Sequence, residues 1–152
     1  MLSNHDTSKL IRDWVESIAM RSLREMSSYV RATGLSWPQF GVLMLLYHGG
    51  VCGVTRLGQR MEISGAGASQ LIERLVQAGL VQRSENPDDR RARVIALSDK
   101  GCELVEQGIS QRYQWLDKLV AGLDDERRQA VLAALPLLMD AEHSLLTGPP
   151  RT

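Results

Sequence analysis

The chain has no net charge: 18 lysines and arginines balance 18 aspartates and glutamates over 152 residues. Bulk charge therefore names neither a nucleic acid nor a membrane surface as partner. Cysteine is nearly absent. Cys52 and Cys102 are too few for a disulfide framework and lack metal-site spacing, which favours a reduced, cytoplasmic location. The three histidines, His5, His48 and His143, lie far apart with no Glu or Cys at ligand spacing, so no metal and no cofactor is expected. No nucleophile elbow, phosphate loop or convergent acid–base set occurs, which argues against an enzyme. No apolar run approaches the length of a membrane span, and Met1 to Arg12 holds no apolar stretch of signal-peptide type.

What is present is an ordinary globular composition, 43% apolar and 24% charged, in a chain long enough to bury a core. The neutrality conceals a division. From Arg56 to Arg93 seven basic residues face five acidic ones, whereas from Val94 onward six basic face nine acidic. The middle of the chain is therefore the candidate phosphate-facing part.

Apolar residues at helical spacing, from Leu10 and Ile11 through Trp14, Ile18 and Met26 to Val30, predict a helix over 9–32, closed by Gly34. Ser36 opens a second helix, with Gln39 completing a capping box and Pro38 in the first turn. Its apolar residues Phe40, Val42, Leu43, Leu45 and Leu46 lie nearly all round, so it should be central. Val54 to Met61 reads as a short helix, Ile63-Ser64 as a turn, and Ser64 as the N-cap of a helix reaching about Ala78, with Leu71, Leu75 and Val76 on its buried side. Gly79 stops it. The period then shortens: Leu80–Arg83 and Val94–Leu97 read as a hairpin around the polar tip 84–93, and Leu104, Val105, Ile109, Leu116 and Val120 predict a long helix. A last helix starts at Asp124 and is expected to kink at Pro136.

A short helix, a tight turn, a second helix and a basic hairpin make a tool for reading duplex DNA. A helix fits the major groove, where base edges display distinct donor and acceptor patterns. The preceding helix braces it against the backbone, and an arginine-tipped hairpin reaches an adjacent narrow minor groove. The strings LSWPQFGVLMLL, VTRLGQRMEIS and GAGASQLIERLVQAGLVQRSENPDDRRARVIALSDKG resemble the multiple-antibiotic-resistance regulator (MarR) family, most specifically at Asp89-Arg90-Arg91, Leu97-Ser98 and Gly101. The likeness spans roughly 8–146.

The resemblance implies a mainly α fold with a small β-hairpin wing, an α/β winged helix-turn-helix. It forms a single domain over 1–146: a DNA-binding lobe over about 36–98, dimerisation helices over about 9–32 and 99–146, and a disordered tail at 147–152. It further implies a homodimeric transcriptional regulator, expected to be a repressor, on a pseudo-palindromic DNA operator. Ser64 to Leu75 corresponds to the recognition helix, with Ser64, Ser69, Gln70 and Arg74 as DNA-binding candidates. In the wing, Arg91 matches the minor-groove arginine, Asp89 orients it, and Arg90 and Arg93 meet phosphates. Family members bind small aromatic or phenolic acids between the dimer helices and the lobes, and Trp14, Met44, His48 and Tyr113 are the candidates to line such a site. The sequence departs from the family at Gly65-Ala66-Gly67, where larger residues are commoner, and at Gly58, which stands in place of alanine. Two other readings stay open: a winged-helix module for protein or RNA, and a redox-sensing regulator using Cys52 or Cys102.

The apolar stripes of the terminal helices exceed what a small winged-helix core can cover, which independently predicts a second subunit.

Overall fold

A computed structural model describes residues 3–85 and 93–148, and it divides into two compact units, Met1–Tyr113 and Gln114–Thr152. The first unit holds α1 (Asn4–Thr33), α2 (Trp37–Gly49), β1 (Cys52–Gly53), α3 (Val54–Arg60), α4 (Gly65–Gln77), β2 (Val81–Glu85), β3 (Arg93–Leu97) and α5 (Asp99–Ala121) as far as Tyr113. The second holds the rest of α5 and α6 (Asp125–Thr147).

Local chemistry sets most of these boundaries. The Ser36 side chain accepts the Gln39 N–H while the Gln39 side chain accepts the Ser36 N–H, so two orphan donors at the start of α2 are satisfied reciprocally. Gly34, at φ 75°, closes α1 in the left-handed region that other residues rarely enter. The start of α1 differs from expectation. It begins at Asn4 rather than residue 9, because Ser3 and Asp6 form a second capping box that satisfies the first donors of this polar turn.

The helix α2 is central, as its all-round apolar character requires. Val42, Leu43 and Leu46 pack with Leu57 of α3, Ile72 and Leu75 of α4, Leu80, Val81 and Ile95 around the sheet, and Val105 of α5. On α4 the buried side is Ala68, Ile72 and Leu75, so Ile72 replaces the expected Leu71, which is only partly covered. A smaller cluster joins Met26 and Val30 of α1 to Phe40. There the Tyr29 hydroxyl donates to the Leu104 carbonyl at 2.6 Å, and a Cβ on Gly108 would stand 2.8 Å from the Tyr29 ring. A glycine at 108 therefore lets α5 pass close to α1.

The sheet has three antiparallel strands in the order β1-β3-β2. The hairpin pairs Val81 with Leu97 and Glu85 with Arg93. The third strand, β1, pairs Cys52 with Ile95. This segment carries no strand signal in the sequence, since two residues are too few to show a period.

In the second unit Asp124 caps α6 by accepting the Arg127 N–H at 2.8 Å, and Arg128 donates to Asp125 and to the Leu123 carbonyl. The helix runs on through Pro136 to Thr147, the first residue of the expected tail; residues 149–152 lie outside the described residues. Along α6 the side chains of Val131, Leu132, Leu135, Leu138, Met139, Leu145 and Leu146 are all exposed.

Candidate nucleic-acid interface

The helices α3 and α4 meet across a turn that Gly58 makes possible. A Cβ at that position would stand 3.3 Å from the Ile63 carbonyl oxygen and 3.4 Å from the Ala68 side chain. The first is tighter than real Cβ contacts usually are and the second is at the edge of ordinary contact, so glycine lets the bracing helix come close to the next one. The chain reverses at Glu62, whose φ of 55° is left-handed. Ser64 then caps α4, its Oγ accepting the Gly67 N–H at 3.1 Å.

With one face of α4 buried, its 3.6-residue period puts Ala66, Gln70, Arg74 and Gln77 on one exposed stripe. Gln70 and Arg74 sit one turn apart along the outermost line. Ser69 is exposed but faces the flank. It lines a cavity of about 250 Å³ with Val54, Arg83, Val94 and Ile95, between α4 and the sheet. The same flank carries an ion pair, Arg83 Nη2 to Glu73 Oε2 at 2.9 Å, which ties β2 to α4. Glu73 is mostly in solvent and Arg83 more than a third exposed, so the pair contributes at most about 1 kcal/mol.

Three cations were not among the candidates read from the sequence. Arg56 and Arg60 stand one turn apart, exposed, on α3, and Arg83 flanks α4. The four-residue spacing of the first two was visible; Arg83 was not, because its partner Glu73 lies ten residues away in sequence and meets it only through the fold. The Arg60 guanidinium lies across the last turn of α2, where a Cβ on Gly49 would come within 2.6 Å of Nη1. Of the wing residues, Asp89, Arg90 and Arg91 fall outside the described residues, and Arg93 begins β3.

Cys52 is buried, and burial pushes its thiol up while Arg60 and Arg56 pull weakly the other way. A raised thiol is a poor nucleophile at neutral pH, which counts against the redox-sensing alternative at this residue. The four ligand candidates are spread over α1, α2 and α5. Trp14 and Tyr113 are exposed, Met44 packs partly against both core clusters, and His48 stands edge-on to Tyr47 at 5.3 Å. None of them lines the cavity beside Ser69. Nor does any line a groove of about 380 Å³ between the end of α1 and the start of α5, formed by Tyr29, Thr33, Lys100, Glu103 and their neighbours.

The MarR family model matches residues 33–92, from the end of α1 to the wing. The helix-turn-helix-type transcriptional regulator YwhA of Bacillus subtilis is 30% identical over 97 residues, 64% of this chain and 70% of that protein. Matches to curated regulators of this type span between 63% and 91% of their lengths. Among solved structures, the transcriptional regulator Tm0710 of Thermotoga maritima superposes with a TM-score of 0.80 at 23% identity, covering 93% of this chain and 99% of that one. BpsR of Bordetella bronchiseptica, whose DNA binding is regulated by 6-hydroxynicotinic acid, is 25% identical with a TM-score of 0.50, covering 86% and 98%. No helix among the described residues is long and apolar enough to cross a membrane. With its helix pair, its outward polar stripe and its three-stranded wing sheet, the chain belongs to the MarR family of DNA-binding helix-turn-helix transcriptional regulators.

Proposed function

We propose that this regulator is a cytoplasmic, non-catalytic homodimeric repressor that reads a pseudo-palindromic operator. The observation that carries this reading is the outward stripe of α4, where Gln70 and Arg74 face solvent from a helix packed firmly on its other side. Gln bonds adenine through two hydrogen bonds, and Arg bonds guanine or a phosphate. Ser64 and Ser69 flank the stripe as hydroxyl partners for the DNA backbone, and Arg56 and Arg60 on the bracing helix add phosphate contacts. Arg91, steered by Asp89, enters the minor groove, while Arg90 and Arg93 hold the adjacent phosphates.

The exposed apolar residues of α1, and separately those of α6, support a second copy of the chain as their cover, in an interface of more than about 2,000 Å² in total. Bound across a promoter, such a dimer excludes the polymerase. A small aromatic acid, held among Trp14, Met44, His48 and Tyr113, releases it by binding the DNA-free conformation better. The BpsR case is the support for that effector class. Titrating salicylate-like acids into the operator complex should weaken it by about 5- to 150-fold, and a broad panel with no effect rules this effector class out.

The reading heads separate by mutation. Gln70→Ala should cost about 1–3 kcal/mol on the operator and relax preference at one base pair per half-site. Arg91→Ala should weaken operator and unrelated duplex alike, and lower the salt slope by about one. Affinities measured at several salt concentrations decide the matter, and an Arg91→Ala chain that binds like wild type removes the wing from the interface.

A further inference from the structure

The C-terminal end of α4 is held by main-chain carbonyls. Its own cap is a Schellman turn: Gly79, at φ 71°, donates to the Val76 carbonyl and Leu80 donates to the Leu75 carbonyl. That leaves three successive carbonyls, those of Ala78, Gly79 and Leu80, facing outward from the turn. All three are taken by the segment that opens α5. Lys100 Nζ donates to the Ala78 oxygen at 3.0 Å, Ser98 Oγ to the Gly79 oxygen at 2.6 Å, and the Ser98 N–H to the Leu80 oxygen at 3.1 Å. Ser98 Oγ also accepts the Gly101 N–H at 3.0 Å, so one hydroxyl caps α5 and grips α4 together.

Within this bracket Lys100 differs from Ser98. Its bond is made by a long side chain, and its charge meets the negative end of the α4 dipole. It is also the only lysine between Lys9 and Lys118, in a lobe that otherwise uses arginine for its cations. Among the described residues the ammonium bonds this carbonyl rather than a carboxylate, although Glu103 lies one turn further along α5 and lines the same groove.

We propose that Lys100 is a positioning residue for base reading: it fixes the tilt of α4 from its far end and touches no DNA itself. The lever arm makes the effect specific. Gln70 lies about 12 Å along the helix from Ala78, so a tilt of about 5° about that end displaces Gln70 by about 1 Å. A displacement of that size spoils a paired hydrogen bond to a base edge, whereas contacts to flexible phosphate chains adapt.

The inference rests on α4 being the reading helix, and the test keeps the two apart. The full chain is used to select its preferred duplex from a random pool. Binding to that duplex and to an unrelated one is then measured at several salt concentrations for wild type, Lys100→Met and Lys100→Arg. A wild-type chain that selects no sequence overturns the reading of α4 itself. Given selection, Lys100→Met should lower the ratio of specific to unrelated affinity about five- to tenfold, with the salt slope unchanged, and Lys100→Arg should restore most of it. Equal loss on both duplexes with a slope lower by about one would make Lys100 a phosphate contact and overturn the proposal. An unchanged ratio overturns it too. Thermal midpoints of the free proteins are compared first, and Lys100→Gln replaces the methionine variant if its midpoint falls.

Discussion

Gly101→Ala should destabilise the protein by about 2–4 kcal/mol, although alanine is worth about 1 kcal/mol more than glycine inside a helix. The added methyl has nowhere to go. It would overlap the Leu80 carbonyl oxygen, and it would stand 3.1 Å from both the Leu80 carbonyl carbon and Leu97 Cδ2. Backbone cannot swing aside as a side chain does, so Leu80 must shift, and the bond from the Ser98 N–H shifts with it. The midpoint of thermal unfolding should fall by about 5–15 °C at fixed protein concentration. Gly65→Ala is the matched control. Gly65 also lies in the first turn of a helix, but a Cβ there meets nothing within 4 Å. That change should stabilise the free protein by about 0.5–1 kcal/mol. The two substitutions are chemically identical, and the surroundings alone reverse the sign. A Gly101→Ala protein as stable as wild type would mean that α5 does not approach Leu80 this closely.

The second large effect concerns assembly. Leu135→Glu combined with Leu138→Glu should leave the chain folded, because both side chains already face solvent in the single chain, at 39% and 45% exposure. The same pair should break the proposed dimer, since two carboxylates buried per subunit in an apolar contact find no partners. Sedimentation at micromolar concentration should then report a monomer. Loss of the second half-site should reduce operator affinity about 100-fold or more, the scale on which linked sites reinforce one another. A double variant that sediments and binds as wild type does would place the subunit interface elsewhere.

The parts of the fold that were legible in the sequence are those decided within a few residues. Gly34, the Ser36–Gln39 box, Ser64, Gly79 and Asp124 each mark a helix end by a local bond or a left-handed φ, and each sits where the pattern placed it. The misses have a common physical origin. The polar start of α1 is held by Ser3 and Asp6, outside any apolar period. The strand β1 exists only because Ile95 and Val94 lie beside it. Ile72 outranks Leu71 in the core because the buried face of α4 is centred on Ala68, Ile72 and Leu75, and an apolar residue on either side of that face fits the same spacing.

The same holds for the candidate site. Gln70 and Arg74 follow from helical period alone, whereas Ser69 shares that polar face in sequence yet belongs to the flank with Arg83. The value of Ser98 and Gly101 was visible only as resemblance. Their physical reason is a set of carbonyl oxygens, which carry no residue identity and so leave no trace in a sequence.

That choice of attachment has a consequence for how operators change over time. The bonds that seat α4 at its far end are made to its main chain, at 78, 79 and 80, and its packing uses Ala68, Ile72 and Leu75. Among the described residues, neither these bonds nor this buried packing uses the side chains at 66, 70, 74 and 77. Those four positions form a free alphabet on a fixed mount. With α4 as the proposed reading helix, rewriting them should change the target without renegotiating stability, and a randomised library at those sites should yield folded proteins in most of its members.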